Sequence, residues 1–444
     1  MKIYCADFVL PVTAAPIELG AIAVDDAKII AVGTKTEICE QFPNAETRNF
    51  DGCVITAGLV NCHAHLELTV MRGFLDTVEN DFFAWLRKLT SARETLTTKD
   101  LEISATFGAM EAAKAGITCI GDIASFADNT FNALRNLGLR GVAFQETINP
   151  NAITANETFA KLKDKIAALH GLETETLTLG ISPHAPYSVS PKLFELTTDF
   201  AINKHLHVSI HAAESKAERD FVESGAGIFA DFLRVRNIIF DAPRTSTIKY
   251  LNALGVLQTK PLLAHCVGAD ESDIEILAET NSKVAHCPKS NAKFGHGIAP
   301  FADFIAKKIV VGLGSDSVAS NNVCDVLEEA RFAAMLARTR GDFVESKTVL
   351  RAATIEGAKA LNLESKIGSL ETGKQADFTV ISLNSLQQQP VFDVYAALIF
   401  ASSARDVTAT FVAGNPIYEN GEFTNVDEIE IRRKMSEIVR KIKV

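Results

Sequence analysis

The stretch GLVNCHAHLEL at residues 58–68 decides the fold, because a short apolar run ends there in two histidines separated by one residue. Residues i and i+2 of a strand point to the same side, so His63 and His65 are predicted to project together from a strand end. Helical stretches alternate with seven further apolar runs, at residues 118–122, 141–144, 177–182, 207–211, 262–266, 283–287 and 309–314. Eight strands alternating with helices are typical of the α/β class and predict a (β/α)₈ TIM barrel.

The sequence on either side of the predicted barrel has a different hydrophobic pattern. Residues 1–56 and 365–425 contain short strands and turns, which predict one small discontinuous β-sandwich domain built from both termini. The barrel is assigned to residues 57–364. Residues 426–444 are predicted to form a C-terminal helix, because Ile431, Met435, Ile438 and Ile442 recur at helical spacing.

Composition excludes several classes of protein. Of the 444 residues, 47% are apolar and 22% are charged, which is an ordinary globular balance. The net charge of −11 argues against a nucleic-acid or anionic-membrane partner, because phosphates attract basic surfaces. No apolar run approaches the roughly 18 residues of a membrane span, and the first residues lack the pattern of a signal peptide. Eight cysteines without a CxxC pair indicate a reducing, cytoplasmic compartment.

Polar side chains end four of the predicted barrel strands. His63 and His65 close strand 1, His211 closes strand 5, His265 closes strand 6 and Asp316 closes strand 8. The carboxyl ends of barrel strands converge on one site, and a set of imidazoles with one carboxylate suits Zn²⁺ or Fe²⁺. We therefore predict one divalent metal ion, zinc before iron, with His63, His65, His211 and Asp316 as its ligands.

Further polar residues complete a hydrolytic set. Glu214 follows the strand-5 histidine by three residues and is a candidate proton-transfer group. His265 is either a further ligand or a hydrogen-bonding partner, and the second role is favoured because four ligands already fill the metal shell. The strand-4 run SPHAPYS contains no lysine, which favours one metal over a carboxylate-bridged pair. His184 in this run, with His286 and His296, faces the barrel mouth as a substrate contact or as a structural residue.

The strings that carry these residues resemble the amidohydrolase superfamily from about residue 57 to residue 377. They are GLVNCHAHLEL, GISPHAPYSVS, SIHAAES, LLAHCV, AHCPKSNAKFGHGIAP, GLGSDSVASNN and GSLETGKQAD. The likeness is to the branch of deaminases with one metal, which includes S-adenosylhomocysteine/methylthioadenosine, aminofutalosine and guanine deaminases and triazine hydrolases. The resemblance implies the same four ligands, a catalytic set of Glu214, His265 and Asp316, and a contact between His184 and the heterocycle.

The resemblance also implies a reaction. Water would add to the amine-bearing ring carbon and ammonia would leave, with Glu214 moving a proton from the water to the neighbouring ring nitrogen. The expected substrate is an aminated purine or adenosine-type nucleoside, with aminodeoxyfutalosine first and S-adenosylhomocysteine or methylthioadenosine next. A guanine, pterin or triazine deaminase or chlorohydrolase is the alternative, since it shares every metal residue. A non-catalytic barrel scaffold is the third reading, although no ligand or base is missing. Relatives often form dimers, so a homodimer is a further expectation.

The choice of substrate depends on residues near the mouth. The strings HLEL and FFAWLRKL are similar to those of aminofutalosine deaminases. Methylthioadenosine-type relatives carry a glutamate before the tryptophan to hold ribose hydroxyls, whereas Phe83 and Ala84 precede Trp85 here. Glu67 is the candidate replacement carboxylate. Trp85 either contacts substrate or packs a loop over the mouth.

Two more residues complete the predicted substrate-binding set. Asn291 lies in the string AHCPKSNAKFGHGIAP, close to the strand-7 end. Arg244 belongs to the long loop after strand 5, together with Arg234 and Arg236. A guanidinium there would bind an anionic substrate tail, although most surface arginines are simply solvated.

Overall fold

The computed structural model describes residues 1–442 and contains two eight-stranded sheets. The chain begins in the terminal sheet, where β1 pairs antiparallel with β2 and parallel with β4. These first strands are β1 (Lys2–Leu10), β2 (Ile17–Asp25), β3 (Lys28–Thr34) and β4 (Glu46–Ala57).

The second sheet is the predicted barrel. Its strands are β5 (Leu59–Ala64), β6 (Ile117–Ala124), β7 (Arg140–Thr147), β8 (Leu177–Pro183), β9 (His207–Ala212), β10 (Leu262–His265), β11 (Lys283–His286) and β12 (Val311–Leu313). Consecutive strands pair in parallel. The barrel closes where Ala64 bridges Asp316 and the Asp316 N–H donates to the His63 carbonyl at 2.9 Å. The predicted (β/α)₈ barrel is confirmed, and its closure brings the strand-1 and strand-8 ends together.

The chain then returns to the terminal sheet with β13 (Phe378–Ser382), β14 (Val407–Val412), β15 (Asn415–Glu419) and β16 (Glu422–Phe423). Hydrogen bonds join all eight strands in the order β16-β15-β14-β13-β4-β1-β2-β3. The ring of Tyr4 on β1 lies 5.0 Å from Phe378 on β13 and 5.2 Å from Phe411 on β14 between centroids, so aromatic rings of three strands pack on one face. The two termini thus build one mixed sheet that encloses its own apolar core.

Helices surround the barrel and the cavity above it, apart from the first helix, which packs on the terminal sheet. They are α1 (Lys35–Gln41), α2 (Phe82–Glu94), α3 (Thr98–Lys114), α4 (Ala127–Leu137), α5 (Ala155–His170), α6 (Pro191–Lys204), α7 (Lys216–Ser224), α8 (Ile228–Val235), α9 (Thr247–Ala253), α10 (Glu271–Glu279), α11 (Pro288–Lys293), α12 (Phe301–Ala306), α13 (Val318–Asn321), α14 (Val326–Thr339), α15 (Ser346–Ala352), α16 (Ile355–Ala360), α17 (Val394–Ala396) and α18 (Glu428–Ile442). The last corresponds to the predicted C-terminal helix, except that residues 443–444 lie outside the described residues. None of the helices within residues 1–442 has both the length and the apolar character needed to cross a membrane.

A buried ion pair joins the two sheets at the amino-terminal ends of the barrel strands. Arg140, the first residue of β7, donates from Nε and Nη2 to the two carboxylate oxygens of Asp377 at 2.8 and 3.1 Å. Both side chains are 1% exposed. Asp377 also accepts the Ala413 N–H at 2.8 Å, so the charges are well supplied with partners. Planar two-point geometry of this kind is characteristic of arginine–carboxylate pairs.

Candidate active site

The strand ends place the predicted metal ligands around one point. His63 lies near the end of β5, His65 follows it, His211 lies on β9 and Asp316 follows β12. The backbone turns sharply there, since His265 at the end of β10 has φ 74° and Asp316 has φ 56°. Such left-handed conformations are uncommon outside glycine and are often found at functional sites.

The candidate ligand atoms have the spacing that a small cation requires. The Nε2 atoms of His65 and His211 lie 3.2 Å apart, and Asp316 Oδ1 lies 3.4 Å from His63 Nε2 and 3.6 Å from His65 Nε2. A tetrahedral ion with bonds of about 2.0–2.1 Å holds its ligand atoms about 3.3 Å apart. His63 and His265 Nε2 also have no hydrogen-bond partner within the described residues. The donor set therefore fits one divalent ion.

His63 belongs to two overlapping groups of candidate ligands. One group combines it with His65 and Asp316, and the other with His211 and His265. Both put donor atoms within 4.8 Å of one another. The geometry thus accommodates His265 either as a ligand or beside the ligands, and the preference for the second role stays a prediction.

Neighbouring groups orient the ligands. The His211 ring lies with Nδ1 3.1 Å from the His184 carbonyl, so Nδ1–H donates and Nε2 keeps its lone pair. Asp316 Oδ2 accepts from Ser290 Oγ at 2.6 Å and from Ser320 Oγ at 2.9 Å, which turns Oδ1 toward the histidines. Hydrogen bonds of this kind fix the rotamers that a metal centre needs.

Burial keeps the imidazoles neutral. Loss of solvation lowers the pKa of His63 and His65 to about 4 and that of His211 to about 3. Neutral imidazoles retain the lone pair that binds a cation, so no proton has to be displaced near neutral pH. Asp316 is the charged member. Burial alone would raise its pKa, but the neighbouring imidazoles outweigh burial and hold the pKa well below the usual range.

Glu214 lies beside this cluster in the position expected for a proton-transfer group. Its Oε1 is 3.8 Å from His265 Nε2 and 3.6 Å from His296 Nε2. Burial alone would raise the pKa of Glu214, but these two histidines lower it to about 2. Glu218 fixes the local backbone, since it accepts the Ala213 and Glu214 N–H groups at 2.8 and 2.9 Å. The Glu214 carboxylate is therefore ionised, and the backbone that carries it is fixed by Glu218.

A cavity of about 570 Å³ opens from the cluster. Its inner end includes five polar residues from five strand ends or loops: His65, His184, Glu214, His265 and Asp316. Its outer end is mainly apolar and is lined by aromatic and leucine side chains of α2 and α8, namely Phe82, Phe83, Trp85, Leu86, Phe229 and Phe232. Phe83 and Phe232 meet edge to face, with centroids 5.8 Å apart. The cavity suits a ligand with one polar reacting end and a less polar remainder.

Two of the predicted substrate residues, Trp85 and Glu67, line the cavity but differ in how the protein already uses their side chains. Trp85 is buried at 7% exposure and packs edge to face on Phe294, so it is part of the cavity wall. Glu67 has carboxylate oxygens that accept N–H bonds from Ser125, Phe126 and Asn129 at 3.1 to 3.2 Å. Protein donors use most of the hydrogen-bonding capacity of the carboxylate, so Glu67 chiefly fixes the segment that follows β6.

Asn291 and Arg244 do not lie where the sequence predicted. Asn291 is buried behind His265, with its Oδ1 2.9 Å from His265 Nδ1, and it is absent from the lining formed by residues 1–442. It is placed to orient His265, and its contact with substrate stays a prediction. Arg244 is also absent from that lining, and its backbone N–H donates to the Val222 carbonyl at 3.1 Å. Arg236, with its guanidinium carbon 3.5 Å from the Phe232 ring centre, lines the outer end instead.

Sequence reasoning missed several supporting residues and left two histidines open. Ser290 and Ser320 hold Asp316, although serines without a motif gave no signal of that role. His296 is beside Glu214, whereas His286 stacks on Phe301 with ring centres 5.1 Å apart and lies outside the cavity lining within residues 1–442. His286, Ser290 and His296 share the string AHCPKSNAKFGHGIAP, which shows only that they are near one another in sequence. Their contacts become visible only in the folded structure.

Comparisons with known proteins agree with this architecture. The chain is 30% identical over 416 residues to 5-methylthioadenosine/S-adenosylhomocysteine deaminase of Pelotomaculum thermopropionicum, covering 93% of this chain and 91% of that one. It is 29% identical over 432 residues to 5′-deoxyadenosine deaminase of Methanobrevibacter smithii, covering 96% and 94%. The crystal structure of an adenosine deaminase from Xanthomonas campestris with bound zinc matches with a TM-score of 0.89 and 26% identity, covering 100% of this chain and 98% of that one.

The family assignment rests on the length of the match. The model of the amidohydrolase family matches residues 54–417, which include every barrel strand and every candidate ligand. Full-length similarity to the relatives above is consistent with this match. The chain therefore belongs to the amidohydrolase family.

Proposed function

We propose that this protein is a metal-dependent hydrolytic deaminase of an adenosine-type nucleoside. The observation that carries the proposal is the group of His63, His65, His211 and Asp316 beside an ionised Glu214, at the inner end of one cavity. Similarity to deaminases named for methylthioadenosine, S-adenosylhomocysteine and 5′-deoxyadenosine supports the substrate class. Zinc is the proposed ion and iron the second choice, because the similar Xanthomonas campestris structure carries zinc.

The proposed chemistry divides between the ion and the protein. A bound divalent ion lowers the pKa of water toward about 7 and so supplies a nucleophile near neutral pH. Glu214 accepts a proton from the attacking water and delivers it to the ring nitrogen next to the amine-bearing carbon. His265 and Asp316 hold the water by hydrogen bonds. The new bond joins the water oxygen to that carbon. The remaining hydroxyl proton passes to the amine through Asp316, so the carbon–nitrogen bond breaks, ammonia leaves and a ring carbonyl remains.

The outer part of the cavity bears on the 5′ substituent. Its apolar wall of Phe83, Leu86 and Phe232 favours thioether or other weakly polar groups, whereas Arg236 beside Phe232 favours a carboxylate at the tip. Methylthioadenosine presents only the first feature, and S-adenosylhomocysteine and aminodeoxyfutalosine present both. We propose the first two as leading substrates and keep aminodeoxyfutalosine in the test panel.

The decisive experiment measures ammonia release by zinc-loaded protein from these three nucleosides, 5′-deoxyadenosine and guanine, and chloride release from a chlorotriazine. We expect turnover of the adenosine-type compounds, and a loss of about 10²- to 10⁴-fold in Glu214→Gln with the metal content unchanged. Glu195→Gln is the matched control, since Glu195 is exposed on α6 and pairs with Lys192. Turnover of guanine or the triazine alone would replace the proposed substrate class, and full activity of Glu214→Gln would reject the proposed base.

Two further expectations remain proposals. A cytoplasmic location and a homodimer fit the sequence analysis, and neither follows from the geometry of the site. Fractionation of cells and light scattering of the purified protein test them directly.

A further inference from the structure

One carboxylate of the cavity wall has no role in the reaction above. Glu146 lies near the end of β7 and lines the cavity, with its side chain 11% exposed. Its Oε2 accepts a hydrogen bond from Ser125 Oγ at 2.9 Å. Within residues 1–442, no N–H or O–H group lies within hydrogen-bonding distance of its Oε1, and the closest imidazole nitrogen, His184 Nε2, is 4.0 Å away.

The neighbouring carboxylate shows what a structural role looks like here. Glu67 lies in the same wall, but its two oxygens accept N–H bonds from Ser125, Phe126 and Asn129. Ser125 therefore serves both acids, through its backbone N–H for Glu67 and through its hydroxyl for Glu146. Glu67 is supplied with donors by the protein, whereas Glu146 is held in place with one oxygen left open.

His184 does not supply the missing donor. The Ser188 hydroxyl donates its one proton to the Ala185 carbonyl at 3.1 Å, so it accepts from His184 Nδ1–H at 2.7 Å. A neutral His184 protonated at Nδ1 carries a lone pair on Nε2. Glu146 Oε1 and His184 Nε2 are then two acceptors that face each other across 4.0 Å. A carboxylate oxygen that faces another acceptor and has no donor from the protein is unfavourable, so a ligand donor is expected at Oε1.

The order of side chains along the wall identifies that donor. The ring of His184 lies 4.6 Å from the ring of His211, and Glu146 lies on the other flank of His184. A nucleoside with its amine-bearing carbon at the metal-facing histidines would extend past His184, and its remaining donors are sugar hydroxyls. The substrates in the names of the two relatives differ at the 5′ carbon and share the vicinal 2′- and 3′-hydroxyls.

We infer that Glu146 accepts hydrogen bonds from the vicinal hydroxyls of the sugar and so selects ribonucleosides over their deoxy analogues. The inference rests on the proposed function, because it takes the nucleoside as substrate. Oε1 receives one hydroxyl, and Oε2 has a second lone pair beside its bond from Ser125. A hydrogen bond to an ionised acceptor is among the stronger ones, so its loss is measurable.

The test compares substrates within each variant. The probes are adenosine, 2′-deoxyadenosine, 3′-deoxyadenosine and 2′,3′-dideoxyadenosine, assayed by ammonia release with wild type, Glu146→Gln, Glu146→Ala and the exposed-site control Glu195→Gln. We expect Glu146→Ala to lower kcat/KM for adenosine by roughly 10- to 100-fold and for the dideoxy compound by less than about 3-fold. Glu146→Gln keeps one acceptor and should fall between Ala and wild type.

The result that would overturn the inference is an equal loss for adenosine and the dideoxy compound, because Glu146 would then act only through His184. Wild-type protein that prefers the dideoxy compound would also reject it. If wild type deaminates none of the four, calorimetric binding of adenosine and the dideoxy compound decides the inference separately. The proposed function fails only if methylthioadenosine and S-adenosylhomocysteine are not deaminated either. Equal affinities in that measurement would reject it, and weaker binding of the dideoxy compound that disappears in Glu146→Ala would support it.

Discussion

The two ends of the barrel bury charge in opposite ways. At the amino-terminal strand ends, Arg140 and Asp377 satisfy each other in two-point geometry and have further backbone partners. At the carboxyl-terminal ends, both ring nitrogens of His63 lack a partner within the described residues, and ligand atoms crowd to 3.2–3.6 Å. Buried polar groups are normally paired, so an unpaired group points to a ligand and a paired one to stability. The comparison therefore separates residues that serve binding from residues that serve the fold.

The largest expected effect comes from His63→Leu, which replaces an unpartnered imidazole by an apolar side chain of similar size. Activity should fall at least ~10³-fold, because an incomplete ligand set no longer holds the ion that activates water. Metal per chain, measured by emission spectrometry, should fall with it. The free energy of unfolding of the metal-free protein should stay within about 1 kcal/mol of wild type. A large loss of metal-free stability would show that His63 also serves the fold.

The reverse pattern is expected for Arg140→Met, which leaves the Asp377 carboxylate buried without its partner. The free energy of unfolding should drop by about 3–5 kcal/mol in urea titrations. Activity per folded molecule should remain within about 2-fold, since the pair lies at the far end of the barrel from the cavity. The double variant Arg140→Met/Asp377→Leu is the control and should recover part of the loss. No recovery would mean that the pair contributes more than mutual neutralisation.

A smaller change at the upper end is expected for Ser290→Ala. Asp316 loses its 2.6 Å hydrogen bond and keeps the 2.9 Å bond from Ser320. Metal affinity or kcat/KM should fall by roughly 10- to 100-fold, as is usual when a residue that orients a ligand is removed. Ser320→Ala should fall less, because its bond is longer. Competition with a fluorescent chelator measures the affinity, and unchanged values in both variants would show that Asp316 needs neither serine.

The smallest effect concerns pH. Burial raises the pKa of Glu329 to about 8, although Asn321 and the Lys289 N–H bond its carboxylate. The folded protein then keeps a proton that the unfolded chain releases above about pH 4.5, so this group's contribution to stability falls as pH rises toward 8. The contribution is at most about 1.4 kcal/mol per pH unit. Glu329→Gln should flatten the slope between about pH 5 and 8 in urea titrations, and an unchanged slope would exclude Glu329 as its source.

Sequence was sufficient for features that repeat or that stand at strand ends. The barrel followed from alternating runs, and the clustering of His63, His65, His211 and Asp316 was predicted because the strand ends of a barrel converge. Local pattern also predicted the C-terminal helix within residues 426–444, where the structure has a helix over Glu428–Ile442. Hydrophobic periodicity and the order of strands along the chain can both be read directly from the sequence.

Sequence was insufficient where two distant loops decide a contact. Arg244 was predicted at the cavity, but it is not among the lining residues within residues 1–442, whereas Arg236 lies on Phe232 in that lining. Ser290 on α11 donates to Asp316, which follows β12. Ser125 bonds one oxygen of Glu146, and His184 leaves the other oxygen without a donor. Such contacts depend on loop paths and side-chain rotamers, which leave no periodic signal.

The pairing of β4 with β13 has a consequence for how the protein is made. Phe378 meets Ala57 across these antiparallel strands, so roughly 300 residues must emerge from the ribosome before the first four strands acquire their neighbour. At about 5–20 residues per second, that delay lasts roughly 15 to 60 seconds. During translation the nascent amino-terminal hairpin displays an apolar edge, which is the kind of surface that chaperones shield.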